Sequence, residues 1–433
     1  MKKKLGFIML FSSFAWAQEA TIPFVTNDIS HFYEAYDQVL QTTDSLKRIQ
    51  LVNALYLNKG SDGLKAMKEA RNYKDYEFVE AMLSYPKFWN ALRNKVQEVD
   101  KSKLQLENYI ARLKEYYPQL KPSTVYFPVG VFRSAGTYRE NKILLGAEFF
   151  LVDATTPLDE FPPNIQAGIS QNLPFNLPVT VLHEWVHTQQ KPWENKSIIH
   201  LSVAEGVAEF IATLVSQTPV SKPVFFGKQN PAKVLNKYMI EIFRDDDVWN
   251  WLWNENHNSL QQRDLAYYIG YEMSERYYNK ADDKKKAIQG LIELDYNNPV
   301  QFDQWVDSTG FLPLTVKEIG DKYESLRPTI KRIMEFKNGS PKVSPKLKTL
   351  TIEFSEPMSQ CCRNLDTDTT AGVQQLPIKS FKGWSKNNTL FTIELQDLKP
   401  NTTYGLTLLN FVNEDGGNPL APYTIRFKTK SKP

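Results

Sequence analysis

The sequence predicts an α+β protein: a mainly helical region carrying one small sheet, followed by an all-β sandwich. Three patterns support this. Residues 28–117 repeat apolar side chains at helical spacing, with Ile29, Phe32, Tyr36, Val39 and Leu40 on one stripe and Leu106, Tyr109, Ile110, Leu113 and Tyr117 on another. Residues 124–131 and 143–151 read as strands around a turn near Gly136, after which helical spacing returns from residue 177 to about residue 325. From Pro328 the period shortens to two, in runs such as Leu350-Ile352-Phe354, Leu390-Thr392-Glu394 and Tyr404-Leu406-Leu408 separated by turn residues, the signature of an antiparallel sandwich.

Taken from the N-terminus, residues 1–17 combine Lys2, Lys3 and Lys4 with an apolar run from Leu5 to Trp16 and Ala15-Trp16-Ala17 ahead of Gln18, which predicts a cleaved secretory signal. The apolar run is too short for a comfortable membrane span, and no Cys stands near the cleavage point to carry a lipid. A secreted, periplasmic or cell-surface protein with no stable membrane span after signal cleavage is expected. Gly60-Ser61-Asp62-Gly63 punctuates the first helical stretch. The expected divisions are the signal at 1–17, an N-terminal helical part at 18–120, a mixed core at 121–326 and the β-sandwich at 327–433.

Composition sets the outer bounds. A chain of 433 residues with 42% hydrophobic and 13% aromatic side chains can bury two or three cores. The formal net charge is +3, and residues 1–17 hold three Lys and no acid, so the mature chain is near neutral and no nucleic-acid partner is expected. Cys361 and Cys362 are adjacent, and one peptide spans less than disulfide geometry prefers, so reduced or singly used thiols in a loop are expected ahead of the alternatives, a vicinal disulfide or a soft-metal pair.

The chemistry concentrates at His183-Glu184-Trp185-Val186-His187, an H-E-x-x-H run. Residues four apart share a helix face, so both imidazoles can address one ion while Glu184 reaches a water beside it. Pro178 suits a first turn, and Val179, Leu182 and Val186 form an apolar stripe beside the ligand face. Such a site wants a third protein ligand. None follows directly in Thr188-Gln189-Gln190-Lys191-Pro192, so it must come from the next helix, where Glu205 and Glu209 stand one turn apart. His200 is a further nitrogen, expected to cap or bury at that helix's start. In the later stretch Asp264 to Met273, Tyr267 and Tyr271 share a face. Trp249, Trp251 and Trp253 form an aromatic cluster expected to pack or to line a groove rim.

Ala204-Glu205-Gly206-Val207-Ala208 resembles the second-helix motif of the gluzincin metallopeptidases, with Ala204 where the aminopeptidase-like branch has Asn. The resemblance implies Zn2+ held by His183, His187 and Glu205, with Glu209 left as a partner of an imidazole, a contact for a substrate amine, or the ligand itself. Tyr267 followed by Gly270 resembles a Tyr-x-x-Gly arrangement whose phenol steadies an oxyanion. In zincins an edge strand beside the active-site helix pairs with extended substrate, and residues 143–151 are the expected edge. More widely, Gly130-Val131-Phe132-Arg133-Ser134-Ala135-Gly136-Thr137, Ile143-Leu144-Leu145-Gly146-Ala147-Glu148 and Lys284-Lys285-Lys286-Ala287-Ile288 resemble a bacterial family of predicted zinc-dependent proteases, first catalogued as a domain of unknown function and related to gliding-motility lipoproteins. Glu353-Phe354-Ser355-Glu356-Pro357-Met358 and Leu398-Lys399-Pro400-Asn401-Thr402-Thr403-Tyr404 resemble the bacterial Ig-like domain of secreted and surface-layer proteins.

These resemblances imply a zincin-like domain followed by an Ig-like sandwich that contacts the cell envelope. The expected function is zinc-dependent hydrolysis of peptide bonds in a peptide or protein substrate, with His183, His187 and Glu205 as metal ligands, Glu184 as general base and Tyr267 as oxyanion donor. The alternative is an extracellular or envelope binding and assembly protein with a structural or vestigial metal site, the Ig-like domain being the working module. An esterase or amidase would use the same residues.

Overall fold

The computed structural model describes residues 22–171, 173, 175–244, 248–253, 258–385, 387–414 and 417–431, so the expected signal at 1–17 lies outside the described residues. The chain divides into two compact units, residues 1–234 with 249–311, and residues 235–248 with 312–433.

In the first unit the opening stretch is helical, as Asn27–Leu40, Ser45–Val52, Asp62–Arg71, Asp75–Ser84, Pro86–Leu92 and Gln97–Tyr116. Ile29, Phe32, Tyr36 and Val39 are buried as their spacing requires, whereas Leu40, at the last turn, is 46% exposed. Asp28 is buried because its carboxylate accepts the Ser61 backbone N–H at 2.8 Å, which pins the glycine-flanked break against the first helix. Asp44 and Ser61 cap the two helices that follow them.

The sheet has strands β1 (Phe24–Val25), β2 (Thr124–Tyr126), β3 (Gly136–Arg139) and β4 (Lys142–Leu145) in the order β1-β2-β4-β3. Both expected strands are shorter than their apolar runs. Residues 124–131 leave the ladder after Tyr126 because Pro128 has no N–H to donate. Residues 143–151 stop at Leu145, and Ala147–Phe150 turns into a helix that buries Glu148. That carboxylate accepts the Gly130 and Phe132 N–H groups at 2.9 and 3.3 Å, and burial pushes its pKa up to about 7. The expected edge is corrected as well. The residues read as a turn near Gly136 are themselves a strand, β3, which pairs antiparallel with β4 and occupies the edge while β4 is interior. Glu140, in the left-handed region at φ 55°, reverses the chain between them.

Further helices run Leu177–Gln189, Ile198–Ser216, Lys222–Gln229, Leu265–Lys280, Lys284–Ile292 and Pro299–Thr309. Ile198–Ser216 is long and apolar enough to cross a membrane, yet 78% of that stretch is buried among its neighbours, which makes it the unit's central helix. Of the tryptophan cluster, Trp251 is buried, while Trp249 and Trp253 stay exposed with ring centroids 6.2 Å apart.

In the second unit, helix Val316–Ser325, held by a Thr315/Glu318 capping box, precedes a two-sheet sandwich. One sheet orders β5 (Ile330–Ile333), β6 (Thr349–Phe354), β10 (Leu390–Leu395) and β9 (Ile378–Trp384) as β5-β6-β10-β9. The other runs β12 (Tyr423–Lys428), β11 (Thr403–Leu409), β7 (Asn364–Asp366), with β8 (Gln374–Gln375) also paired to β11. Leu350, Ile352 and Phe354 face the core, as do Tyr404, Leu406 and Leu408. In β10 the inward face is Phe391, Ile393 and Leu395 rather than Leu390-Thr392-Glu394, because register sets Phe391 opposite Ile352 and Ile393 opposite Leu350. Cys361 and Cys362 correct the expectation of free thiols: they are joined as a vicinal disulfide, with Cα atoms 3.8 Å apart in an exposed turn.

Candidate metal centre

The helix Leu177–Gln189 begins with Asn176, whose side chain accepts the Val179 N–H, and with Pro178 in its first turn, where a missing N–H costs nothing. Leu182 and Val186 are fully buried, so the adjacent face holding His183 and His187 is fixed toward the interior. A loop returns the chain into Ile198–Ser216, and that helix delivers Glu205 and Glu209 beside the imidazoles.

His183 Nε2 and His187 Nε2 are 3.1 Å apart, and each lies 3.2 Å from Glu205 Oε2. Ligand atoms about 2.0–2.1 Å from one tetrahedral ion stand roughly 3.3 Å from each other, so the spacing of these three atoms fits a single zinc. Among the described residues these three are the only such group of His, Cys, Asp and Glu side chains. Glu209 is placed differently, 3.5 Å from His183 Nδ1, on the far side of that ring from the triangle. It stands where a partner orienting the imidazole would stand, while Glu205 completes the group of three that could hold an ion.

Glu184 is 8% exposed and lies against the edge strand: a Cβ built on Gly136 would come within 2.9 Å of its Oε1. The missing side chain at Gly136 is what lets this carboxylate sit between strand and helix. Burial pushes the Glu184 carboxyl above the ordinary range, partly offset by His187 and His183. Burial also works against the Glu205 carboxylate, but His187 and His183 outweigh it and hold that carboxyl below the ordinary range. Burial opposes charge on His183 too, yet Glu205 and Glu209 push its pKa up to about 10. Neighbouring carboxylates driven in opposite directions are a recognised basis for separate ligand and acid–base duties.

Tyr267 stacks on His183 with ring centroids 5.8 Å apart and 25° between planes, and its hydroxyl reaches the Glu205 carboxylate. It is delivered by a close helix crossing. A Cβ on Gly206 would come within 2.1 Å of the Gly270 carbonyl carbon, so these two glycines let Ile198–Ser216 and Leu265–Lys280 touch backbone to backbone beside Glu205. Tyr271, expected on the same face, packs instead edge-on to Phe210 at 5.6 Å. His200 is stacked on Phe302 at 4.1 Å and bonded to Ser197 Oγ at 2.8 Å, a packing role away from the triangle.

Two residues at the site carry no signal in the sequence. Tyr138, on β3, lies flat against His187 with centroids 5.1 Å apart and 12° between planes. Burial, followed by the Glu205 and Glu184 charges, raises its phenol above the ordinary range. Gln190, the residue after the helix, bonds His187 Nδ1 at 2.8 Å. Tyr138 sits in what reads as a turn and Gln190 among polar loop residues, so neither stands out without its partner.

The family described as "Gliding motility protein GldB" matches residues 17–252, a stretch that holds His183, Glu184, His187 and Glu205 and ends before Tyr267. A bacterial Ig-like domain matches residues 326–429. No curated protein matches the chain. Among solved structures, CopC from Methylosinus trichosporium OB3b is 13% identical, with 24% of this chain and 94% of that one covered and a TM-score of 0.20. Domains 1–6 of the surface layer protein SbsC are 11% identical, with 93% of this chain and 45% of that one covered and a TM-score of 0.19. The N-terminal part of SbsC is 12% identical, with 93% and 77% covered and a TM-score of 0.18. Likenesses of this size carry no argument about fold or function.

Proposed function

The chain belongs to the family of the gliding motility protein GldB and ends in a bacterial Ig-like domain, and from that premise we propose an envelope protein that hydrolyses peptide bonds with zinc at His183, His187 and Glu205. The family and the Ig-like domain both fit an envelope or cell-surface location. The observation that carries hydrolysis is Glu184, a buried carboxylate beside the His183, His187 and Glu205 triangle and against a sheet edge.

When bound, zinc supplies a Lewis acid that polarises a carbonyl and makes a neighbouring water more acidic. The protein's own residues do the rest. An extended peptide adds to the free side of β3, which carries its scissile bond across the triangle. Glu184 takes the proton of the attacking water, and its raised pKa suits it to hold that proton and pass it to the leaving amine. Tyr267 donates to the carbonyl oxygen as negative charge develops there.

The two family matches favour a second reading more directly than they favour hydrolysis. In it the triangle holds a structural ion and the Ig-like domain binds or assembles envelope partners. One experiment separates them. The purified chain is assayed for zinc, then incubated with a peptide library with and without chelator, alongside Glu184→Gln. Hydrolysis predicts one zinc in both chains, chelator-sensitive cleavage by the wild type, and a loss of about 100-fold or more in the variant. Zinc in both chains with cleavage in neither leaves the binding and assembly reading standing.

A further inference from the structure

Gln190 is buried, 7% exposed, and its amide is held at both ends. The nitrogen is 3.1 Å from the Ala204 carbonyl oxygen and the amide oxygen is 2.8 Å from His187 Nδ1. A backbone carbonyl can only accept, so the NH2 end must face Ala204 and the oxygen must face His187. An amide oxygen cannot donate, so the proton of this bond belongs to His187 Nδ1. In the neutral imidazole this leaves the lone pair on His187 Nε2, the atom 3.2 Å from Glu205 Oε2 and facing the triangle.

We infer that Gln190 is a positioning residue that holds His187 in the one tautomer able to ligate an ion, and ties it to the residue preceding Glu205. This rests on the metal reading above. Tyr138 restrains the same ring by stacking, but a stacked face is indifferent to which nitrogen carries the proton, so the choice of tautomer falls to Gln190. His183 has its own partner in Glu209, also on Ile198–Ser216. Both imidazoles are thus aligned from the helix that brings the third ligand, His183 directly and His187 through the Gln190 amide. One amide therefore links the aim of a ligand on the first helix to the placement of a ligand on the second.

The test uses the full chain with Gln190→Met, which keeps length but removes donor and acceptor, and Gln190→Glu, which restores an acceptor for Nδ1–H. Competition between each chain and a chromophoric chelator for Zn2+ alone reads affinity. Long-range 1H–15N spectra of histidine-labelled protein, recorded without zinc at a pH high enough for the ring to be neutral, read the tautomer. Gln190→Met is expected to bind zinc about 10- to 100-fold more weakly and to lose the Nδ1–H tautomer at His187, with Gln190→Glu recovering most of both. If the Met chain does not fold, Gln190→Asn, too short to reach His187, takes its place with the same expectation. Wild-type affinity together with an unchanged tautomer in Gln190→Met overturns the inference. So does a Gln190→Glu chain as weak as Gln190→Met. A wild type that binds no zinc would sink the metal reading instead, and the spectra would still decide the role of Gln190.

Discussion

Gly270→Ala places one methyl group where two helices already touch. The added Cβ would stand 1.8 Å from the Ser202 carbonyl oxygen and 2.9 Å from Gly206 Cα. Those neighbours are backbone, so relief requires Ile198–Ser216 and Leu265–Lys280 to part by more than an ångström. Overpacking of this kind costs about 1–3 kcal/mol or more. Against it stands the helix propensity of Ala over Gly, about 1 kcal/mol. The clash wins, because the neighbours are backbone and the cost falls at the upper end of that range, leaving a net loss of about 1–2 kcal/mol. In a unit of this size that lowers Tm by about 2–3 °C. Gly168→Ala is the matched control: it lies in helix Pro163–Gln171, and among the described residues a Cβ there meets nothing within 4 Å. Propensity acts alone in that case, and Tm should rise by about 1–4 °C. Calorimetry of the two variants beside the wild type checks both signs. A Gly270→Ala chain as stable as Gly168→Ala would refute the close crossing and, with it, the placement of Tyr267 beside Glu205.

Tyr267→Phe keeps the ring on His183 and removes the hydroxyl near Glu205. On the proposed function, turnover of a library-derived peptide should fall about 100- to 1000-fold with zinc affinity retained, and an unchanged kcat would strip Tyr267 of the oxyanion role. His200 gives a pH dependence. Burial, only partly opposed by a backbone hydrogen bond with Tyr296, holds its pKa down to about 4 from an ordinary 6.5. The unfolded chain therefore takes up this proton at higher pH than the folded one. The contribution is fully present above about pH 6.5, is lost as pH falls toward about 4, and amounts to at most about 3 kcal/mol. Urea unfolding at pH 7.5 and 4.5 should show a smaller acid loss for His200→Phe than for the wild type, and equal losses would contradict the burial argument. Removing a bound ion should lower the melting transition of the first unit alone, since zinc at a hundred times its Kd adds about 2.7 kcal/mol there. If dipicolinate instead shifts the sandwich transition, the ion binds elsewhere.

Local geometry alone made part of this molecule legible from its residues. A spacing of four residues puts His183 and His187 on one helix face wherever that helix ends up, and period-two runs after Pro328 make strands whatever their neighbours. Glu184 is legible for the same reason, being bonded to its partner in sequence. Strand lengths were overread because an apolar run does not reveal that Pro128 lacks a donor at the ladder or that Glu148 draws its neighbours into a helix. Glu205 and Glu209 share a helix face, so periodicity could not choose between them. What separates them in the structure is the side of His183 each carboxylate meets, Glu205 at Nε2 and Glu209 at Nδ1. The edge position of β3, the stacking of Tyr138 on His187, the reach of Gln190 from His187 to Ala204 and the pairing inside β10 were decided only by the tertiary structure. Each is a contact between elements far apart in sequence, and a contact of that kind exists only once both elements have been packed against a common core.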